Sequence, residues 1–461
     1  MIPCSKKLFS NNDLVHLIWP LLAEQLLLAS LGLADIVMVA SLGENAVSGV
    51  SLVDSINILI TGVLGAMATG GAVVCSHYFG SRNAKMVSVT ACQLIYTMCA
   101  LASIFMIVAF MFKRQILCAI FGAVDPVVME NANTYFFWTL PAMPLIALYS
   151  SCAALFRAQG NSTISLFTSL IINAINIGGN ALCIYGLKMG VEGVAIPTLV
   201  SRGAAGALLL CLLYKARPYR GRPAIRINGI LKIKIDFLVI KNILRIGLPE
   251  GIDNTIFQLG KILLLTLMAT YGTEAIAANA TANTIATFGE LPGNAMSLAI
   301  ITVVGQCLGA GKIDQAIYYT RKLMIITCVI MAFINLIIFI FLTPLVSIFN
   351  LNPGTVVLAS EFIKVHCFAA GILFWSLSFS LPYALRAAND AKFTMAVSLT
   401  TMWTVRIGIS YFFAHFTKIG AIGIWYAMFI DWTLRSIIFV LRWKKGAWKR
   451  HCSFLGEGQH L

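Results

Sequence analysis

The sequence predicts an all-α membrane protein of twelve transmembrane helices, arranged as two pseudo-symmetric six-helix lobes. Three observations carry this. Hydrophobic residues make up 59% of the 461 residues and charged residues only 11%, whereas a soluble domain carries about 25% charged residues. The basic residues fall in short clusters between long apolar runs. The second half of the chain also repeats landmarks of the first at a fixed offset of 229 residues. Too little polar surface remains to clothe a water-soluble globule, so a soluble enzyme, a disordered chain and a collagen-like fibre are excluded.

A helix needs about 20 mostly apolar residues to cross a hydrocarbon core of about 30 Å. Residues 87–112 and 323–349 contain no charge at all. The expected spans are 14–40, 47–78, 87–112, 131–155, 163–186, 190–214, 246–270, 277–308, 323–349, 358–385, 393–416 and 420–441. Residues 1–13 are polar and the run that follows has no small-residue cleavage pattern, so that run is expected to stay as the first span. Most of the 12 Cys sit singly inside apolar runs, with no CxxC and no metal-ligand spacing. They read as small apolar fillers and not as a disulfide framework.

The net charge of +15 could suggest nucleic acid, but its placement points to a bilayer. Lys6/Lys7, Arg82/Lys85, Arg157, the 215–245 segment, Lys312/Arg321/Lys322, Arg386/Lys392 and the basic residues of 442–450 alternate with the spans and hold 24 of the 33 Lys and Arg. The opposite loops hold only Lys113, Arg114, Lys188 and Lys418. By the positive-inside rule both termini are expected in the cytoplasm, in a multi-pass protein of the inner (plasma) membrane. Membrane lipid and a small-molecule substrate are the expected partners, nucleic acid is not one, and the expected state is a monomer.

The repeat sets the domain plan. Pro20 falls on Pro249, Gly43 in SLGENAVSG on Gly272 in TYGTEAIAA, Gly80 in SHYFGSRNA on Gly309 in GQCLGAGKI, and Arg157 in LFRAQGNS on Arg386 in ALRAANDA. The plan is a first lobe over 1–214, a cytoplasmic linker over 215–245, a second lobe over 246–445 and a tail over 446–461. Six spans per unit is an even number, so the two lobes run in the same direction, related by an axis along the membrane normal. Two such lobes facing each other make a cleft near the midplane, and rocking them gives alternating access. Transport is the leading function class on this ground alone. No GxGxxG after a strand, no GxxxxGK[ST] and no HExxH is present, so no enzyme and no cofactor is expected, and the work must come from an ion gradient or from the substrate's own.

Ionisable groups at membrane depth cost at least about 2.5–3.5 kcal/mol each at a helix centre, which makes function their default reading. In the first lobe the outstanding one is Asp35. Asn176 and Asn180, four apart in the fifth span, share a helix face, and Thr198 lies in the sixth. A carboxylate with amide and hydroxyl oxygens makes a site for a proton or for a hard cation such as Na⁺. The bland reading is an Asn pair that only bonds neighbouring helices. Glu24 and Gln25 lie nearer the cytoplasmic end, while Asp54 and His77, toward the ends of the second span, read as structural or interfacial.

At this point the residues reach a known pattern. Asp35 followed by MVASLG, the FGSRNAKM loop, the LFRAQGNS turn, GVEGVAIPT and the GLP that opens the second lobe resemble the multidrug and toxic compound extrusion (MATE) family along essentially the whole chain. The resemblance implies a V-shaped twelve-helix exporter with a central cavity, coupled to Na⁺ or H⁺. Its first-lobe cation site carries over as Asp35, Asn176, Asn180 and Thr198. One departure is Asn180, where many members have a second Asp, so the site loses a charge. Another is Trp375, eleven residues before Arg386, where one bacterial branch has a carboxylate; that branch's second-lobe site is not carried over.

The second lobe has its own charges. Glu250 and Asp253 lie early in the seventh span, Gln258 and Lys261 further along it, Glu290 in the eighth, and Arg406 and Asp431 in the eleventh and twelfth. Arg202 occupies the repeat position of Asp431. Lys261 and Glu290 reach similar depths on antiparallel helices, so an ion pair within about 4 Å, or one water bridging the two groups, is expected. It would either lock the packing or leave Glu290 or Asp253 to meet substrate or proton. The expected function is a secondary antiporter that exports small amphipathic or cationic organic compounds in exchange for Na⁺ or H⁺. A lipid-linked saccharide flippase of the same broad fold would want the cations Lys261, Arg406 and Arg202. An integral-membrane transferase would need an Asp-rich metal motif, and none is present.

Overall fold

A computed structural model describes residues 7–122, 125–216, 218–219, 223–227 and 234–455. The described residues are helical with turns and no strand, and they divide into two compact units, Phe9–Gly251 and residues 252–455 with residues 7 and 8.

In the first unit the spans are α1 (Asn11–Ala40), α2 (Glu44–Gly80), α3 (Ala84–Phe121), the pair α4 (Pro126–Thr139) and α5 (Ala142–Ala158), α6 (Ser162–Ala181, prolonged by a π turn to Gly186) and α7 (Glu192–Tyr214). The fourth span is bent by 47° between α4 and α5. Pro141 sits at the bend, and a proline there has no N–H to continue the helical ladder. The first half of α8 (Phe237–Ala269) belongs to this unit as well.

In the second unit come the rest of α8, α9 (Thr273–Gly309), α10 (Ile313–Ile340) with the short α11 (Leu342–Ser347), and the pair α12 (Pro353–Gly371) and α13 (Leu381–Ala387). α14 (Ala391–Thr400) and α15 (Gly408–Phe416) are joined by a π-helical stretch, and α16 (Ile422–Lys444) is the last span. The tenth span bends by 60° where Gly371 gives way to Ser376. Among the described residues nine helices are long and apolar enough to cross a membrane, and the two bent pairs make eleven. The α14–α15 run, continuously helical from 391 to 416, covers the eleventh span expected from the sequence. Large apolar side chains such as Val37, Met111, Phe237 and Phe416 stay exposed, as lipid-facing positions must.

The repeat is visible in the backbone. α2 and α9 each have 37 residues, and their boundaries are offset by the same 229 positions as the sequence landmarks. Each starts behind a glycine at positive φ, Gly43 at +99° and Gly272 at +94°, a conformation that costs a residue with a Cβ. The segment read as a linker over 215–245 is in part helical, since α8 begins at Phe237. Its other described residues are tied to the first unit: Ile225 N–H donates to Gln159 Oε1 at 3.0 Å, and Gln93 Nε2 donates to the Lys234 carbonyl at 2.6 Å. Residues 217, 220–222 and 228–233 of that segment, and 456–461 of the tail, lie outside the described residues.

Candidate cation site and a second charge cluster

Packing of α6 on α7 builds the first site. Gly179 faces Pro197, and a Cβ on Gly179 would lie 2.7 Å from the proline Cβ. Its absence lets the two helices close until Asn176 Nδ2 donates to Thr198 Oγ1 at 2.8 Å. Thr198 in turn donates to the Val194 carbonyl at 3.0 Å, so its hydroxyl hydrogen is spent and its oxygen is free to accept. One helical turn on from Asn176, the two hydrogens of the Asn180 amide are also spent. Asn180 Nδ2 donates to Asp35 Oδ1 on α1 at 2.7 Å and to Asn176 Oδ1 at 3.1 Å.

All four residues singled out in the sequence are thus joined in one chain of hydrogen bonds. Acceptors are in surplus. Asn180 is fully buried, and its Oδ1 accepts no hydrogen bond; Asp35 has a second carboxylate oxygen beside it. An orphaned buried acceptor costs about 1–3 kcal/mol, and a cation or a proton would satisfy it. The donor set of carboxylate, amide and hydroxyl oxygens suits a hard monovalent cation. Among the described residues no group of three His, Cys, Asp or Glu side chains is placed to hold a metal, so this site depends on neutral oxygens.

Asp35 and Thr198 open onto a cavity of about 320 Å³ inside the first unit. Asp54, Asn57, Tyr135 and Arg202 line it too. Asp54 Oδ1 accepts from Tyr135 Oη at 3.3 Å and from Asn57 Nδ2 at 3.4 Å. Arg202 lies over the Tyr149 ring at 5.7 Å, and its guanidinium makes no hydrogen bond or ion pair among the described residues. The cavity wall therefore carries two carboxylates and one guanidinium, a surplus of one negative charge. The sequence reading gives Asp54 a structural or interfacial role, whereas it lines this cavity, and Tyr135 is not singled out at all. The start of α2 at Glu44 puts Asp54 nearly three turns inside the helix, which was the available signal.

The second-lobe candidates are distributed differently. Asp253 pairs with Arg386 Nη2 at 3.1 Å, both side chains buried. Gln258 is half-buried and makes no side-chain hydrogen bond among the described residues. The expected Lys261–Glu290 ion pair is not formed: no contact within 4 Å joins them, and Lys261 is exposed while Glu290 is half-buried. Equal depth on two helices does not fix their rotation about their own axes. Lys261 Nζ lies instead over the Phe257 ring at 5.5 Å, where Arg406 Cζ approaches at 5.7 Å. Asp431 pairs with Arg435, one turn on, at 3.1 Å. Arg435 was missed in the sequence, although an i,i+4 acid–base pair in an apolar helix marks it. Trp375 stacks on Phe379 with ring centroids 5.0 Å apart and packs against Gly293, so an aromatic wall stands where a carboxylate would be needed.

The sequence model of the MatE family matches residues 20–182 and 249–412, two segments whose starts are again 229 residues apart. A Thermotoga maritima protein described as "Probable multidrug resistance protein NorM" is 24% identical over 97% of this chain and 95% of its own. The Bacillus subtilis "Uncharacterized transporter YisQ" is 26% identical over 95% and 94%. Among solved structures, an "outward-facing conformation of a multidrug resistance MATE family transporter" superposes with a TM-score of 0.86 and 18% identity over 95% of this chain and 96% of that one. At that identity the likeness is one of fold.

Proposed function

Because the chain belongs to the MatE (multidrug and toxic compound extrusion) family of membrane transporters, we propose that it is a secondary antiporter exporting small amphipathic or cationic organic compounds in exchange for Na⁺ or H⁺. The observation that carries this is the chain Asp35–Asn180–Asn176–Thr198, with the Asn180 oxygen buried and unpartnered beside a cavity. A relative named for multidrug resistance supports the drug-export part of the reading.

In this reading Asp35 supplies the charge that the entering cation or proton neutralises. Asn176, Asn180 and Thr198 supply neutral oxygens, and their mutual hydrogen bonds hold those oxygens in place. The single surplus negative charge of the cavity matches one monovalent cation per cycle. Antiport requires that ion and compound favour different states of the protein, because a ligand that binds both states equally shifts nothing. The Lys/Arg distribution supports a plasma-membrane placement with both termini cytoplasmic, and the chain acts as a monomer.

The test is efflux of ethidium from vesicles holding the purified full-length protein, with Na⁺ and pH gradients imposed separately. Efflux driven by at least one gradient is expected. Equal rates with and without either gradient would refute antiport.

A further inference from the structure

The cluster around Phe257 has no part in the cation chemistry of Asp35, and its charges do not balance. Lys261 Nζ, Arg406 Cζ and Arg435 Cζ lie 5.5, 5.7 and 5.8 Å from the ring centroid. Arg435 is matched by Asp431, itself fully buried. Glu290 is the other acid of the group, and it pairs with neither remaining cation within 4 Å. Asp253 and Arg386 neutralise each other. Three cations therefore meet two anions.

Arg406 concentrates the imbalance. Its side chain is only 8% exposed, and its guanidinium makes no hydrogen bond or ion pair among the described residues; the Nε is buried without a partner. Guanidinium is a planar fork of five donors matched to carboxylate, sulfonate and phosphate oxygens. Leaving such a fork buried and unanswered is costly, and an anion that enters would answer it. Beside it stands an apolar wall. Phe257 meets Phe379 edge to face at 6.1 Å, and Phe379 stacks on Trp375. Lys261 is exposed, so the cluster can be reached from outside the packed core.

We propose that Lys261, Arg406 and Arg435 around Phe257 form a binding site for the anionic group of an amphipathic compound, its apolar body lying on the Phe257–Phe379–Trp375 wall. The inference deepens the transport reading, on which it rests: the substrates then include carboxylates, sulfonates or phosphates, and zwitterions as well as cations. The repeat positions of these three cations in the first lobe are Gly32, Ile177 and Gly206. The site is thus peculiar to the second lobe, just as the cation site, whose repeat positions are Leu264, Val405, Ile409 and Ala427, is peculiar to the first.

The test uses the full chain in phosphatidylcholine nanodiscs, with pyrenebutyrate as anionic probe and ethidium as cationic probe, corrected for uptake by empty discs. Wild type is expected to bind both. Arg406→Gln should weaken pyrenebutyrate about tenfold or more, as expected for loss of charge-assisted hydrogen bonds, and Arg406→Lys should restore part. Should Arg406→Gln fail to fold, Lys261→Gln at an exposed position decides, with a loss of about fivefold in pyrenebutyrate binding expected. Discs containing phosphatidylglycerol separate the two sources of such an anion. Weaker pyrenebutyrate binding in them assigns the site to a lipid headgroup, and unchanged binding assigns it to a soluble compound. Ethidium bound while pyrenebutyrate is not, or pyrenebutyrate bound equally by wild type and Lys261→Gln, overturns the site. Gradient-independent ethidium efflux would instead strike at the antiport reading and leave this result standing.

Discussion

Arg157 Nη1 lies 3.3 Å from the buried carboxylate of Glu24, and both residues have counterparts 229 positions later in Arg386 and Asp253, which lie 3.1 Å apart. Each unit thus repeats the same ion pair between its first and fourth spans. The pair ties the two spans together in each unit, and it accounts for an arginine at the same turn of both halves.

Breaking one of these pairs strands its partner in a buried setting. Arg157→Met is expected to destabilise the protein by about 3–5 kcal/mol. The double change with Glu24→Gln should recover part of that, since the stranded charge is gone. Thermal unfolding of the four variants in detergent measures the cycle. Additive losses would show that the two groups do not interact.

Gly293 on α9 lies against the Trp375 ring so closely that a Cβ there would overlap it. Gly293→Ala is expected to cost about 1–3 kcal/mol by overpacking. Trp375→Leu in the same chain should relieve most of it. An unchanged melting temperature for Gly293→Ala alone would mean that the helices do not approach as described.

The charge count of the first-lobe cavity makes two predictions of opposite sign. Asp54→Asn removes one of two carboxylates and should weaken cation binding about tenfold, whereas Arg202→Gln removes the opposing charge and should tighten it by a similar factor. Sodium titration of the purified variants by calorimetry reads both. Shifts in the same direction would sink the electrostatic account.

Asn180→Asp places a second carboxylate beside Asp35. Sodium affinity should rise and the Na⁺ concentration for half-maximal ethidium efflux should fall. An unchanged half-maximal concentration would mean that position 180 does not face the ion.

Much of this is legible in the amino-acid sequence alone. Pro20/Pro249, Gly43/Gly272, Gly80/Gly309 and Arg157/Arg386 give the duplication because turns and helix ends impose residue types that survive in a repeat. Asn176 and Asn180 declare their shared face through the helical period, and an acid at the depth of Asp35 is too costly to be idle. Rotation about a helix axis is harder to read. Lys261 and Glu290 match in depth yet do not pair, because nothing in the hydropathy pattern orients α8 against α9. The role of Tyr135 was equally hidden. It depends on the bend between α4 and α5 and on the packing of α2 beside α4, neither of which leaves a local signature at position 135.

The central claim is that Asp35 carries the coupling charge, and Asp35→Asn tests it most directly because it keeps the shape and removes the charge. Reconstituted in vesicles with Na⁺ and pH gradients imposed separately, the variant is expected to lose gradient-driven ethidium efflux while keeping most of its ethidium affinity. Wild-type efflux rates under both gradients would contradict the account and move the coupling site to Asp253, Lys261 and Glu290.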